Sequence, residues 1–354
     1  QLPIPEYQKG KAILSGTIAN YHPNDNLIFK IGAPNIVMGT AETLYPTVES
    51  DGSFTINIPL YHHTQVRMMI GNADLVILLS PEKETNVAIN LSNPPGKQFV
   101  FSGQYATINN EWCQPELITK IPPVYSDGDL LDSIVGISAN EFKKRCINQY
   151  KRYVTHNNAQ LQFSEDTRTL ANLSCAFDCL ENLQATHYCL QTAYQKKENI
   201  TREQAFAAFL DVYLPDDFHN YLKDFPVNHP LALYCYNYRN VVMDLYDTHK
   251  DPLAYEKNLL KNAPLTKEEQ TLIHQYETAF KAGISFQQGS ELMALSAKYF
   301  KENDQFRWES FSKAKERLSN IIQDSTSLIV DYIRAIYMRS SFYNLQPLTP
   351  RQEL

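Results

Sequence analysis

The chain has 354 residues, 43% of them hydrophobic and 20% charged, which is enough for two or three hydrophobic cores. Its net charge of −7 argues against nucleic acid as a partner, because binding a phosphate backbone takes concentrated Lys and Arg. The strongest apolar runs, "LVILL" and "SLIVDYIRAIYM", are the size of a strand and an amphipathic helix, short of the ~18 residues of a membrane span.

The start, "QLPIPEYQKG", reads as a chain already trimmed. From residue 11 to about residue 101 the hydrophobic period is two. Ala12, Leu14, Gly16 and Ile18 share one side of a strand, as do Leu27, Phe29 and Ile31 of the next. In "VESDGSFTINIPL", Asp51-Gly52 signals a tight turn, and Phe54, Ile56, Ile58 and Leu60 then alternate with polar residues. Val66, Met68 and Ile70 continue the pattern. "ADLVILL" is apolar on both faces and is expected as a central strand, with "NVAINL" and "QFVFSG" after it. Seven or eight short strands between Gly, Pro, Asn and Asp predict an antiparallel β-sandwich or open barrel over residues 1–102.

From Ser102 onward the period becomes 3.6. Residues 103–354 are expected to form an all-α bundle or irregular solenoid of some ten helices, so the fold class is α+β in two segregated domains. Capping boxes at Ser138–Glu141, Thr201–Gln204 and Thr266–Glu269 mark helix starts. Phe206, Phe209 and Val212 follow the second box. One helix of up to thirty residues is expected through Leu170, Leu173, Phe177, Leu180, Leu183 and Leu190, and another from His229-Pro230 to Leu245. Ile322, Ile329, Tyr332, Ile333 and Ile336 keep helical spacing towards Tyr343. No repeat of fixed length occurs.

The search for chemistry finds no catalytic, cofactor-binding or metal-binding residues to nominate. None of G-x-S-x-G, G-x-G-x-x-G, a P-loop or H-E-x-x-H is present. His62-His63 would point to opposite faces of a strand and is expected in an exposed loop. Asp127, Asp129 and Asp132 lack the spacing of a calcium loop and suit the positive end of a helix dipole. His219 beside Asp217 lacks a nucleophile or oxyanion donors nearby. Six cysteines (Cys113, Cys146, Cys175, Cys179, Cys189, Cys235) include no C-x-x-C. Cys175 and Cys179 of "CAFDC" share a helix face with Cys189 near it, and are expected to pack in an apolar seam. In "LYCYNYRN", Tyr234 and Tyr238 share a face with Val241 and Val242 while Tyr236 and Arg239 point elsewhere. Such tyrosines either pack the interior or line a sugar or peptide cleft.

A strand-rich module with a "DGSF" hairpin, then "LLSPEKETNVAINL", then "FVFSGQYATINNEW" leading into helices and closing on "LTPRQEL", resembles the N-terminal, non-catalytic region of exported thioredoxin-like, TlpA-like thiol-disulfide oxidoreductases of anaerobic gut bacteria. "SGQYATIN" is the most specific of these phrases. The family has a Pro-Gly turn where this chain has Pro81-Glu82, and it carries fewer helix cysteines. The resemblance implies a periplasmic or cell-envelope location. It also implies a β-module and helical domain that dock a partner protein, or the family's own C-terminal redox domain, without catalysis here. The terminal Thr349-Pro350-Arg351-Gln352 reads as a helix start, with an N-cap, Pro at the first position and a capping box, and predicts that the natural chain continues past Leu354. The alternative from a different class is a stand-alone cell-surface protein that binds sugar or peptide.

Overall fold

The structure, a computed structural model, describes residues 2–35, 40–124, 128–202, 204–205, 218–246, 263–282, 291, 294–295, 298–299, 304–324 and 326–335. Among these residues the chain is an α+β protein with two four-stranded sheets, eight α-helices and two 3₁₀ helices. The strands are β1 (Gly10–Ile18), β2 (Phe29–Asn35), β3 (Thr40–Leu44), β4 (Ser53–Leu60), β5 (Thr64–Ile70), β6 (Ala73–Leu79), β7 (Glu84–Ile89) and β8 (Phe99–Gly103). The α-helices are α1 (Ala106–Trp112), α2 (Gly128–Ser133), α3 (Ala139–Ala159), α4 (Glu165–Gln184), α5 (Thr186–Glu198), α6 (Tyr238–Tyr246), α7 (Lys267–Lys281) and α8 (Asp304–Ile322). The chain divides into two compact units. One comprises residues 1–121, 146–180 and 226–241, and the other residues 122–145, 181–225 and 242–354.

The first unit holds both sheets, ordered β4-β1-β7-β8 and β3-β2-β5-β6. The alternation read from the sequence sets which side chains turn inward. Leu14, Ile31, Ile58, Met68 and Val87 have no exposed surface and belong to one apolar cluster fed by both sheets. Phe29 and Phe54 meet edge to face within it, ring centres 4.9 Å apart. At Asp51-Gly52 the expected tight turn forms, with Gly52 at φ +81°, where a side chain would be strained. Gly16 is required for a different reason: a Cβ there would run into the Val87 carbonyl of the neighbouring strand.

Two expectations change. The sheets are not wholly antiparallel, because β1 and β7 pair in parallel from Ile13↔Glu84 to Ile18↔Ile89. Nor is β6 a central strand. It is the last strand of its sheet, and helix α1 stands where a further strand would pair. Adjacent asparagines of α1 do this: Asn109 Oδ1 accepts from the Leu78 N–H at 2.7 Å and its Nδ2 donates to the Leu78 carbonyl at 3.1 Å. Asn110 binds the N–H and carbonyl of Phe101, on the edge strand of the other sheet, at 2.7 and 2.9 Å. Each carboxamide presents the donor–acceptor pair of a neighbouring strand, so Leu78 and Phe101 are satisfied at the two edges without one.

Helical starts follow the capping signals. Thr201 and Gln204 exchange reciprocal hydrogen bonds of 2.9 and 3.2 Å, and Thr266 and Glu269 do so at 2.8 and 3.3 Å. Ser138 caps the Glu141 N–H, but the Glu141 carboxylate pairs with Arg145 instead of turning back. The thirty-residue helix is broken at Ala185 into α4 and α5, where the Thr186 hydroxyl donates to the Leu183 carbonyl at 2.6 Å, a bond that bends helices. The helix expected from His229 is interrupted too: Pro230–Tyr234 is 3₁₀, Cys235 is extended, and α6 begins at Tyr238. Phe206, Phe209, Val212, Ile336, Tyr343 and the terminal Thr349–Gln352 cap lie outside the described residues. Among the described residues no helix is long and apolar enough to cross a membrane.

Candidate functional site

The first unit contains a cleft of about 420 Å³, within the range of small-ligand sites. Its walls come from five places in the chain. Strands β5 and β6 supply Gln65, Arg67 and Ala73–Val76, and the approach to β8 supplies Pro95, Gly96, Gln98 and Phe99. The end of α1 and the residues after it supply Trp112–Pro115, Leu117, Thr119 and Lys120, while α4 supplies Ser174 and Asp178. Tyr236 and Asn237 complete the set.

Three of the four charged side chains in this cleft, Arg67, Asp74 and Asp178, are held by protein partners, while the exposed Lys120 lies near enough to Asp74 and Asp178 to favour their charged forms. Arg67 grips Asp74 with both ends of its guanidinium, at 2.7 and 2.6 Å. Bonding to Arg67 lowers the Asp74 pKa. Asp178 is 5% exposed, and burial raises its pKa to about 6. Its carboxylate accepts from the Ile121 N–H at 2.7 Å and from Asn237 Nδ2. The neutral polar groups keep spare capacity. Gln114 Nε2 donates to the Gly96 and Asn110 carbonyls, leaving its oxygen uncommitted. Gln65 Oε1 accepts from the Tyr236 N–H at 3.1 Å. Trp112 is 6% exposed, and its indole N–H is buried with no hydrogen-bond partner.

The tyrosine cluster divides between the two uses weighed for it. Tyr234 and Tyr238 are core residues, their hydroxyls donating to the Pro3 carbonyl at 2.9 Å and the Val227 carbonyl at 2.8 Å. Tyr236 is half-buried and lines the cleft. The histidine pair departs from expectation: His62 is 6% exposed rather than in an open loop. Its Nδ1 lies 2.6 Å from the His63 carbonyl, and His63 Nδ1 lies 2.6 Å from the Tyr105 hydroxyl. Desolvation lowers both histidine pKa values, which favours the neutral rings.

The other sequence candidates do not converge. Asp129 opens α2, and Asp132 pairs with Lys196 at 2.8 Å. His219 Nδ1 is 3.3 Å from the Tyr221 hydroxyl. Asp127 and Asp217 lie outside the described residues. No disulfide joins the cysteines among the described residues; Cys113 is half-buried and the other five are buried. Cys175 and Cys179 donate to the Ile118 and Cys146 carbonyls, and burial pushes both pKa values far up. That matches the expected apolar seam. No group of three or more His, Cys, Asp or Glu is placed to hold a metal among the described residues.

Trp112, Arg67, Asp74 and Asp178 carry no sequence motif. The nearest signal is the "NNEW" of α1, where two adjacent asparagines precede the tryptophan. No protein-family model, curated protein or solved structure matches this chain.

Proposed function

We propose that this chain is a non-catalytic binding region and that its binding site is the cleft beside β6. The observation that carries the reading is the cleft itself, in which Trp112 and Tyr236 stand among charged side chains and uncommitted amides. Two ligand sources fit that description. The first is a partner protein, docked for a redox domain of the exported thioredoxin-like, TlpA-like kind that the sequence resembles. The free thiols support a docking role for this stretch, since burial raises the pKa of Cys113 and Cys235 to about 12 and so suppresses the reactive thiolate. A periplasmic or cell-envelope location belongs to this reading, as does the finer layout of a β-sandwich over 1–102 and an all-α region over 103–354. The gain would be effective concentration: a weak dock tethered to an active site raises local substrate. The second source is a sugar or peptide bound by a stand-alone surface protein.

The test is binding to a glycan array and a random peptide array, read by Trp112 emission in a Trp308→Phe background. Binding of either class, weakened about tenfold by Tyr236→Ala, is expected. No binding of any probe, with folding intact, overturns the proposal.

A further inference from the structure

Strand β6 has a backbone edge that no other strand covers, and part of that edge forms a wall of the cleft. In antiparallel pairing the N–H and C=O of one residue face the same side, and successive residues alternate sides. Leu78 sets the phase, because both its backbone groups bond Asn109 on the side away from β5. The β5–β6 register runs unbroken from Thr64↔Leu79 to Ile70↔Ala73. Val76 and Asp74 therefore turn their N–H and C=O groups to the same outer side as Leu78. Val76 is half-buried and Asp74 exposed, and both line the cleft. The carboxamide of Asn109 occupies the place of one peptide unit of an added strand, and the next two places along the edge open into the cleft.

We propose that the cleft binds an extended, largely uncharged peptide segment of a partner protein as an added strand on β6. The inference rests on the binding reading above and names its ligand. Two donor–acceptor pairs repeating at about 6.8 Å match a peptide backbone, whose own groups repeat at two residues. Sugar hydroxyls have no such period. The Arg67–Asp74 pair is internally satisfied and the remaining cation, Lys120, already has Asp74 and Asp178 within electrostatic reach, so the site asks for little compensating charge on the ligand. Phe99, Trp112 and Leu117 line the cleft and offer apolar surface to alternate side chains.

The experiment selects octapeptides from a random phage-displayed library on the intact chain and measures the enriched peptide by calorimetry. Val76→Pro removes an N–H that β5 does not use, at an edge position where Pro is tolerated. It is expected to weaken binding about tenfold or more, while Val76→Ala, which keeps the N–H, stays within about threefold. In the wild-type chain, hydrogen exchange at Asp74 and Val76 should slow on binding. N-methylation should abolish binding only at alternate positions of the peptide, and these two readouts decide the matter if Val76→Pro fails to fold. A peptide that binds Val76→Pro and Val76→Ala equally, or that tolerates every N-methylation, overturns strand addition and leaves the binding function standing. Binding of saccharides alone does the same. Binding of neither class overturns both.

Discussion

Inside the sheets, Leu14, Ile31, Ile58 and Met68 are held by area removed from water, whereas along the sheet edges Asn109 and Asn110 are held by direction. The first kind of contact tolerates any apolar residue of similar volume. The second needs one carboxamide at one orientation, because it must present a donor and an acceptor to a single backbone unit. The same device recurs elsewhere in the first unit. Asn157 binds both backbone groups of Ile118, at 3.0 and 2.8 Å, and Asp178 takes the Ile121 N–H. In the second unit Asn182 accepts from the Val124 N–H at 2.9 Å and donates to the Pro122 carbonyl at 3.2 Å. Apolar burial builds the layers, and side-chain amides close off backbone that no strand or helix satisfies.

This difference can be broken from either side. The largest effect is expected in the core: Ile58→Ala should lower unfolding free energy by about 2–5 kcal/mol, measured by urea denaturation. A loss well under 1 kcal/mol would mean that the sheets do not share a close-packed core. Next is Asn109→Ala, which leaves the Leu78 N–H and C=O without partners and should cost about 2–3 kcal/mol. Asn110→Ala should cost less, because the Phe101 bonds are only part-buried. Equal losses would remove the argument that burial sets the value of these pins.

Asp178 sharpens the comparison through pH. Its folded pKa, about 6, stands above the ordinary aspartate value of 3.8, so the folded chain holds a proton that the unfolded chain releases between those values. Stability from this group is therefore greatest below pH 3.8 and is lost as pH rises through about 6. Asp178→Asn should flatten that part of the profile by on the order of 2 kcal/mol relative to wild type, read from denaturation at a series of pH values. Parallel profiles for the two proteins would show that the carboxyl is solvated. The smallest effect is at a helix start: Thr266→Ala should cost about 1 kcal/mol, seen as faster amide exchange in the first turn of α7.

Much of the fold can be read from residue order where one interaction dominates locally. Alternation over Gly10–Ile18 and Ser53–Leu60 reports a strand with one buried face, and Thr266 with Glu269 reports a helix start, because both depend on neighbours a few residues away. The seam of Cys175 and Cys179 was legible for the same reason. Strand β6 shows the limit. Its apolar residues suggest a strand flanked on both edges but do not say by what, and at Leu78 a helix rather than a strand meets the outer edge. His62 was misjudged because its burial depends on surroundings that its neighbours in the chain do not name. The break at Ala185 turns on a single hydroxyl–carbonyl bond within an otherwise helical pattern.

The candidate site was less legible still. Tyr236 was visible as an aromatic that leaves the face shared by Tyr234 and Tyr238. Arg67, Asp74, Trp112 and Asp178 lie up to 111 positions apart in the chain and belong together only once β5, β6, α1 and α4 are folded. By itself the sequence determined the two hydrophobic periods, the turns and caps that punctuate them, and the absence of known catalytic motifs, since each is written in short-range spacing. Tertiary structure alone decided the parallel pairing of β1 with β7, the edge position of β6 and the meeting of its open backbone with a tryptophan and a buried carboxylate. Those depend on which distant segments come to share a surface, and periodicity records that a face is buried without recording its partner.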